Sequence, residues 1–121
     1  QLRLLYQCCD IYCLPSISHP EQGMEGIPVV LMEAMACGMP VIATDAGAVS
    51  EIVEHVLVAE KSPWELADAI RLLAANPDLR REQGRHNRTI IEQQYSRSNV
   101  EKFASELTGV ELVPDRPGSE A

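Results

Sequence analysis

Two glutamates, Glu25 and Glu33, flank an apolar segment with seven residues between them. From Gly26 to Gly38, every internal residue except Glu33 is apolar or proline. A lone buried carboxylate is costly. Glu33 must therefore reach solvent at a cleft, pair with a protein donor, or accept hydrogen bonds from a ligand such as a vicinal diol. Spacing alone leaves these alternatives open, and it equally allows Glu25 to be a solvated loop residue.

The segment after Glu25 is predicted to be a helix over Pro28 to Cys37. Proline suits the first helical turn, where its missing N–H is no loss, and Gly38 can adopt the left-handed conformation that closes a helix. Helix rise places Glu33 roughly 7–8 Å beyond Pro28. This distance matches the reach from a diphosphate at a helix N-terminus to its ribose. Because open α/β sheets bind ligands on loops at the carboxyl ends of strands, Glu25 is placed to bind hydroxyl groups of such a ligand.

The surrounding chain alternates short apolar runs with helical periodicity, a pattern typical of βαβ units in a parallel sheet. Strands are predicted at 10–15, 40–44 and 56–59. Helices are predicted at 2–9, at 49–54 and in a consecutive set that begins at Pro63, Pro77 and Ser96. The fold class is therefore α/β, a Rossmann-like parallel sheet of about three strands that ends in two or three consecutive helices. The domain is expected to span 1–108, with a disordered tail at 109–121.

Two cap structures are predicted in the C-terminal part of the chain. Ser62 and Glu65 have the spacing of a capping box, with proline at the first helical position. Asn76 is expected to cap the helix that follows, whose charged residues indicate a largely solvated outer face. Both predictions rest on local sequence alone.

Composition limits the partners. The chain has 121 residues, enough for one domain, and a formal charge of −8 with a pI near 4.8. Such charge argues against nucleic acid or an anionic membrane as the main partner. The first residues show no initiator methionine, no signal-peptide layout and no apolar run of spanning length, and the chain is expected to be a piece of something longer.

Four cysteines lie among apolar neighbours and are expected to be buried, reduced side chains, with a metal or redox role for the first three as the alternative. They are Cys8, Cys9, Cys13 and Cys37. Reduced thiols favour a cytoplasmic location.

Several other residue types carry weaker signals. His19 and His55 are expected to be solvated loop residues, with ligand or acceptor contact as the alternative, and His86 is expected to be exposed on a charged helix. Trp64 is expected to pack, with base or sugar stacking as the alternative. Asp45 and Gly47, at the end of the second strand, are candidates for a cleft or for a turn.

Four segments together resemble group 1 (family four) retaining glycosyltransferases, over about Tyr6 to Phe103. The resemblance is carried by Asp10-Ile-Tyr-Cys-Leu-Pro-Ser16, Glu25-Gly-Ile-Pro-Val-Val-Leu-Met-Glu-Ala-Met-Ala36, Gly38-Met-Pro-Val-Ile-Ala-Thr44 and Gly47 through Ser50-Glu-Ile-Val53. The sequence from Glu25 to Glu33 is most similar to that of enzymes of exopolysaccharide or colanic-acid assembly.

The resemblance implies that this chain is the second half of the C-terminal, donor-binding domain of a two-domain GT-B fold. It implies that Glu25 binds hexose hydroxyls, as the one candidate catalytic residue, and that Glu33 binds the ribose diol. It also implies that backbone N–H groups approach the sugar or diphosphate, namely those of Gly26, Ile27 and Val29. The substrate would be a nucleoside diphosphate sugar, with no cofactor and no metal.

The sequence departs from the family in two places. Pro28 stands where relatives commonly have a glycine, which removes one N–H donor. The segment from Glu54 to Leu57 lacks a glycine-containing turn of about four residues, which leaves the register of the third strand open.

Charge limits what the chain is expected to do alone. No Lys or Arg occurs between Arg3 and Lys61, yet a departing nucleoside diphosphate needs positioned cations. The resemblance implies an Arg/Lys pair from the first half of the same domain and an acceptor site from a missing N-terminal domain, in an enzyme that is membrane-peripheral or soluble. The chain alone is therefore expected to be inactive and to dimerise through an exposed sheet edge. Two alternatives remain, a non-catalytic association module or degenerate fragment, and a GT-B-type nucleotide-sugar epimerase relative.

Overall fold

The computed structural model describes residues 2–22 and 26–95. Glu25, the helix predicted from Ser96 and the tail at 109–121 lie outside the described residues. The elements follow one another as α1 (Leu2–Cys8), β1 (Tyr12–Leu14), α2 (Val29–Ala36), β2 (Val41–Thr44), β3 (Leu57–Val58), α3 (Pro63–Ala75) and α4 (Pro77–Gln94). Single 3-10 turns occupy Pro20–Gln22 and Val49–Glu51. The α/β fold class and the two consecutive helices after the sheet are confirmed.

The three strands form one parallel sheet in the order β1-β2-β3. Tyr12 is opposite Val41, and the second pairing sets Thr44 opposite Val58. This observation fixes the register of β3 that the sequence left open. The strands are shorter than predicted because only their central residues share ladder hydrogen bonds.

The central strand separates two apolar clusters. All four residues of β2 are buried, and Val41 and Ala43 face the cluster built with α2 and α4, whereas Ile42 faces the cluster built with β3 and α3. A strand covered on both faces is continuously apolar rather than alternating. Helices on both sides therefore hold the sheet that carries the candidate site.

The closing end of α2 packs tightly against α4. Gly38 adopts the predicted left-handed conformation, with φ of 75°, and a Cβ added to Gly84 on α4 would lie 2.1 Å from the Gly38 carbonyl oxygen. Asn87 is buried and donates a hydrogen bond from Nδ2 to the Met39 carbonyl oxygen at 2.9 Å. These contacts fix how far α2, and thus Glu33, stands from the remainder of the domain.

The predicted helix caps are wrong in detail. Ser62 and Asn76 occupy the N-cap positions of α3 and α4, but neither side chain makes a capping hydrogen bond. Glu65 instead accepts a hydrogen bond from the Ala59 N–H at 2.8 Å, and Asn76 donates to the Leu72 carbonyl oxygen at 2.6 Å. In both cases the side chain forms a hydrogen bond with a nearby backbone group other than the free N–H groups of the helix that it was predicted to cap.

Burial corrects two further predictions. Cys8 and Cys9 are exposed at the end of α1, and Cys13 and Cys37 are only half-buried, with burial raising the pKa of the Cys13 thiol. Trp64 is 80% exposed rather than packed. The outer side of α2 is also open, because Val29 and Val30 are exposed. In the described part of the chain, nothing covers these surfaces.

Across the described ranges, none of the helices combines the length and the apolar character that crossing a bilayer requires.

Candidate functional site

The candidate site lies at the carboxyl edge of the sheet. Because the strands are parallel, β1, β2 and β3 end at the same edge, and α2 begins after the loop that follows β1. The N-terminus of α2 therefore lies at this edge, as it does at ligand sites of open α/β sheets. The structure therefore agrees with the predicted placement of residues 26–33, called the motif below, at this edge of the sheet.

The first turn of α2 presents free donors. Pro28 is the N-cap in an extended conformation, and its carbonyl oxygen accepts from the N–H groups of Leu31 and Met32. The N–H groups of Val29 and Val30 have no backbone partner among the described residues, as expected for a helix start. Gly26 is exposed, and a Cβ there would meet no atom within 4 Å. An anion can therefore approach this turn closely.

Glu33 lies one helical turn further along α2 and is half-buried. Its Oε2 atom accepts a hydrogen bond from the Tyr6 hydroxyl at 3.2 Å, and that hydroxyl also lies 3.4 Å from the Val30 carbonyl oxygen. Within the described ranges, Glu33 takes part in none of the ion pairs. Of the alternatives that the sequence left open, the structure thus provides a neutral protein donor and leaves the carboxylate partly accessible.

Two tyrosines line the side of α2 that carries Glu33. The rings of Tyr6 and Tyr12 meet edge to face with centroids 5.8 Å apart. Burial raises the pKa of Tyr6, helped by its hydrogen bond to Glu33, and burial followed by the charge of Glu33 raises the pKa of Tyr12. Both hydroxyls therefore stay protonated, and the Tyr6 hydroxyl remains a donor that can orient the carboxylate.

The loops after β1 and β3 are tied together at the same edge. Glu60 accepts hydrogen bonds from the Ser18 N–H, at 3.0 Å, and from the Ser18 hydroxyl. These two hydrogen bonds, the hydroxyl first, lower the pKa of Glu60, and the charges of Lys61 and His19 add to them. Beneath this contact, the Thr44 hydroxyl donates to the Ser16 carbonyl oxygen at 2.6 Å. The loop after β1 is thus anchored to the end of β2 and to the loop after β3.

The other candidate residues are divided between the two edges. Asp45 is exposed and Gly47 adopts φ of 58°, so the turn role of Gly47 at the carboxyl edge is confirmed. His19 is exposed at the same edge. His55 is exposed as predicted, but His86 is only partly exposed, because it pairs with Glu54. His55 precedes β3 and His86 is on α4, so both lie away from the start of α2.

Sequence reasoning missed Tyr6, Ser18 and Glu60. Their contacts join residues that are 27 and 42 positions apart, so only the packed fold brings them together. It also gave no role to Lys61, which follows β3 at the carboxyl edge and adopts a left-handed conformation with φ of 56°.

Comparison with known proteins adds a family assignment to this geometry. A family model described as glycosyl transferases group 1 matches residues 1–90. The putative colanic acid biosynthesis glycosyltransferase WcaL of Escherichia coli (strain K12) is 42% identical over 64 residues, which are 53% of this chain and 15% of that protein. The amylovoran biosynthesis glycosyltransferase AmsK of Erwinia amylovora is 43% identical over 61 residues, 50% of this chain and 15% of that protein. The chain thus spans a minor part of these relatives.

Solved structures agree with the fold. The crystal structure of Anabaena Alr3699/HepE in complex with UDP superposes with a TM-score of 0.70 and 26% identity, over 88% of this chain and 29% of that one. The same protein in complex with UDP-glucose gives a TM-score of 0.66 over the same shares.

Proposed function

The chain belongs to the group 1 glycosyl transferases, and we propose that it supplies part of the donor site of an enzyme that transfers a hexose from a nucleoside diphosphate sugar to a glycan or lipid-linked acceptor. The observation that carries this proposal is the position of Glu33. It is a half-buried carboxylate, one turn inside α2, that accepts a hydrogen bond from Tyr6 and forms no ion pair within the described ranges. The first N–H groups of that helix have no backbone partner among the described residues.

Two positions on α2, its N-terminus and Glu33 one turn further along, suit the two polar parts of such a ligand. The free N–H groups of Val29 and Val30 and the positive end of the helix favour the diphosphate. Glu33 offers carboxylate oxygens that can accept both hydroxyl hydrogens of a ribose diol. Tyr6 holds one of those oxygens from the side, so the carboxylate is oriented before the ligand arrives.

The sugar end of the ligand is assigned to the loop before α2. Glu25 binds hexose hydroxyls in this proposal, and the N–H groups of Gly26 and Ile27, together with that of Val29, approach the sugar or diphosphate. The open space at Gly26 supports such an approach, whereas Pro28 offers no donor. No metal or cofactor is required at this edge, and transfer proceeds with retention of configuration, as in the family resembled.

The proposed site is incomplete in this chain. Its relatives are several times longer, and Lys61 is the only Lys or Arg between Arg3 and Arg71. Transition-state charge on the leaving diphosphate needs cations, which we assign to the preceding half of the same domain, with the acceptor site on a further domain. The chain alone is then inactive, and the complete enzyme works at the cytoplasmic side, in polysaccharide assembly if it resembles WcaL and AmsK in function.

Two other functions make different predictions for the complete protein. A nucleotide-sugar epimerase relative would interconvert nucleotide sugars without forming a glycoside. A non-catalytic association module would bind no nucleotide sugar. The geometry of α2 and Glu33 argues against the association module, because a helix N-terminus and a carboxylate at this spacing suit a nucleotide sugar. Product analysis separates the epimerase from the transferase.

Titration of the complete protein with a panel of nucleoside diphosphates and their hexose derivatives tests the proposal, followed by product analysis with a glycan or lipid-linked acceptor. UDP and UDP-glucose are the first probes because HepE binds them. We expect Glu25→Ala to lower the affinity for the nucleotide sugar but to leave the affinity for the free nucleoside diphosphate unchanged. Equal loss for both ligands would remove Glu25 from the sugar end, and absence of binding to the whole panel would refute the proposal.

A further inference from the structure

A second cluster of polar side chains lies far from the motif. The ligand atoms of Glu54, His55 and His86 all lie within 4.8 Å of one another. Two of these residues precede β3 in the sequence, and the third is in the middle of α4. The cluster therefore joins the loop before β3 to α4.

The contacts within the cluster are short and directional. His86 Nε2 lies 2.7 Å from Glu54 Oε2, and the rings of His55 and His86 meet edge to face with centroids 4.6 Å apart. Three donor atoms of two chemical types thus converge from two elements.

We infer that Glu54, His55 and His86 bind one zinc ion, with water as the fourth ligand. Two imidazole nitrogens and one carboxylate oxygen form a ligand set that zinc accepts in tetrahedral geometry. Zinc–ligand bonds of about 2.0–2.2 Å separate neighbouring ligand atoms by about 3.4 Å. Small side-chain rotations would bring the three atoms to that spacing, and the side chains are free to make them because those of His86 and Glu54 are 40% and 54% exposed.

Charge supports the same inference. Within the described ranges, the only ionic partner of Glu54 is His86, which is charged only when it is protonated. A divalent cation would replace the shared proton, neutralise the carboxylate and coordinate both rings, in a chain whose formal charge is −8.

The position of the cluster separates it from the donor site. Glu54 and His55 precede β3 and therefore lie at the amino edge of the sheet, whereas the start of α2 lies at the carboxyl edge. Near His86, α4 also holds Asn87 against the carbonyl group of Met39. A bound ion would thus fasten the loop before β3 to α4, and its loss would be measurable without any change in donor chemistry.

The test is a zinc titration of the 121-residue chain by calorimetry, with Cys8 and Cys9 replaced by serine because these exposed thiols are competing ligands. We expect one zinc ion per chain and a higher melting temperature with zinc, since a ligand of the folded state stabilises it. Glu54→Gln, His55→Gln and His86→Gln should each weaken binding by at least about tenfold, since losing even an outer-shell partner typically costs about 10- to 100-fold. Circular dichroism checks that each variant folds.

The matched control is His19→Gln, which removes an exposed histidine from the other edge of the sheet and should leave the affinity unchanged. Cobalt substitution gives an independent readout, because a site of nitrogen and oxygen ligands lacks the intense thiolate-to-metal absorption of a cysteine site. Zinc affinity that is the same in the parent chain and in His55→Gln, or absent from both, would overturn the inference. So would a thiolate absorption band in the cobalt complex.

Discussion

Gly84 faces the backbone of Gly38 so closely that no side chain fits between α4 and the end of α2: a Cβ on Gly84 would lie 2.1 Å from the Gly38 carbonyl oxygen. The obstructing atom belongs to the backbone of a residue with φ of 75°, which cannot rotate away as a flexible side chain would. The approach of these two glycines sets the distance between α4 and the helix that carries Glu33.

Gly84→Ala should therefore destabilise the chain even though alanine is the better helix former by about 1 kcal/mol. Overpacking costs typically about 1–3 kcal/mol and more where backbone must shift, so we expect a net loss of about 2 kcal/mol or more in the free energy of unfolding, measured by urea denaturation. Gly26→Ala is the control, because a Cβ at Gly26 meets no atom within 4 Å. Equal stability of the two variants would contradict this packing.

Tyr6→Phe should weaken nucleotide binding to the complete protein without unfolding it. The variant removes the hydroxyl that donates to Glu33, and a typical hydrogen bond contributes about 0.5–1.5 kcal/mol, equivalent to roughly a two- to twelvefold change in affinity. Tyr12→Phe is the matched control, since it alters the partner ring of the same aromatic pair and leaves the hydrogen bond in place. If the two variants bind equally well, Tyr6 does not position Glu33.

The contact between Ser18 and Glu60 should stabilise the fold in a pH-dependent way. The pKa of Glu60 is lowered by its hydrogen bonds from Ser18, from an ordinary value of 4.5. A carboxylate with a depressed folded-state pKa contributes stability that is present above its ordinary pKa and is lost as the pH falls through the folded value. A double-mutant cycle with Ser18→Ala and Glu60→Gln should therefore show favourable coupling at neutral pH that disappears in acid. Coupling that persists unchanged in acid would show that the carboxylate charge is not involved.

The isolated chain should dimerise at high micromolar concentration. Within the described sheet, β1 is paired on one side only, and exposed apolar side chains lie nearby on α1 and α2, including Leu5, which is 65% exposed. Unpaired edges beside apolar patches promote association. Light scattering should report a dimer for the parent chain and a monomer for Leu5→Glu, whereas Leu72→Glu, on α3, should remain dimeric. A monomeric parent chain would refute this expectation.

Local signals in the sequence predicted most of the fold. The apolar pattern placed all three strands and the helices α1 to α4, whereas the helix predicted at 49–54 is only a 3-10 turn at Val49–Glu51. The glycine after α2 was correctly predicted to be left-handed because few other residues adopt that conformation. The prediction that Trp64 packs was wrong, and the reason can be read from the sequence. At about 100° per residue, it lies nearly opposite Leu66 on α3, while Leu66, Ala69 and Leu73 form the packed stripe.

What the sequence could not predict depends on contacts between distant elements. Glu33 was singled out because it interrupts an apolar segment, but its donor, Tyr6, is on another helix. The pairing of Ser18 with Glu60 likewise needs β1 and β3 to end at one edge. The proposed ligand-binding role of Gly26, Ile27, Val29 and Glu33 stays a prediction, and so does that of Glu25.

The central claim is that Glu33 accepts hydrogen bonds from the ribose diol of the donor, and a thermodynamic cycle tests it most directly. The affinity of the complete protein and of Glu33→Ala should be measured for UDP and for 2′-deoxy-UDP, or for the nucleoside diphosphate that binds most tightly, with Glu51→Ala as the exposed control. We expect Glu33→Ala to lower the affinity for UDP by roughly tenfold or more, as for the loss of hydrogen bonds to a charged group. The affinity for the 2′-deoxy nucleotide should fall much less. Equal affinities of the parent protein and Glu33→Ala for UDP would contradict the account.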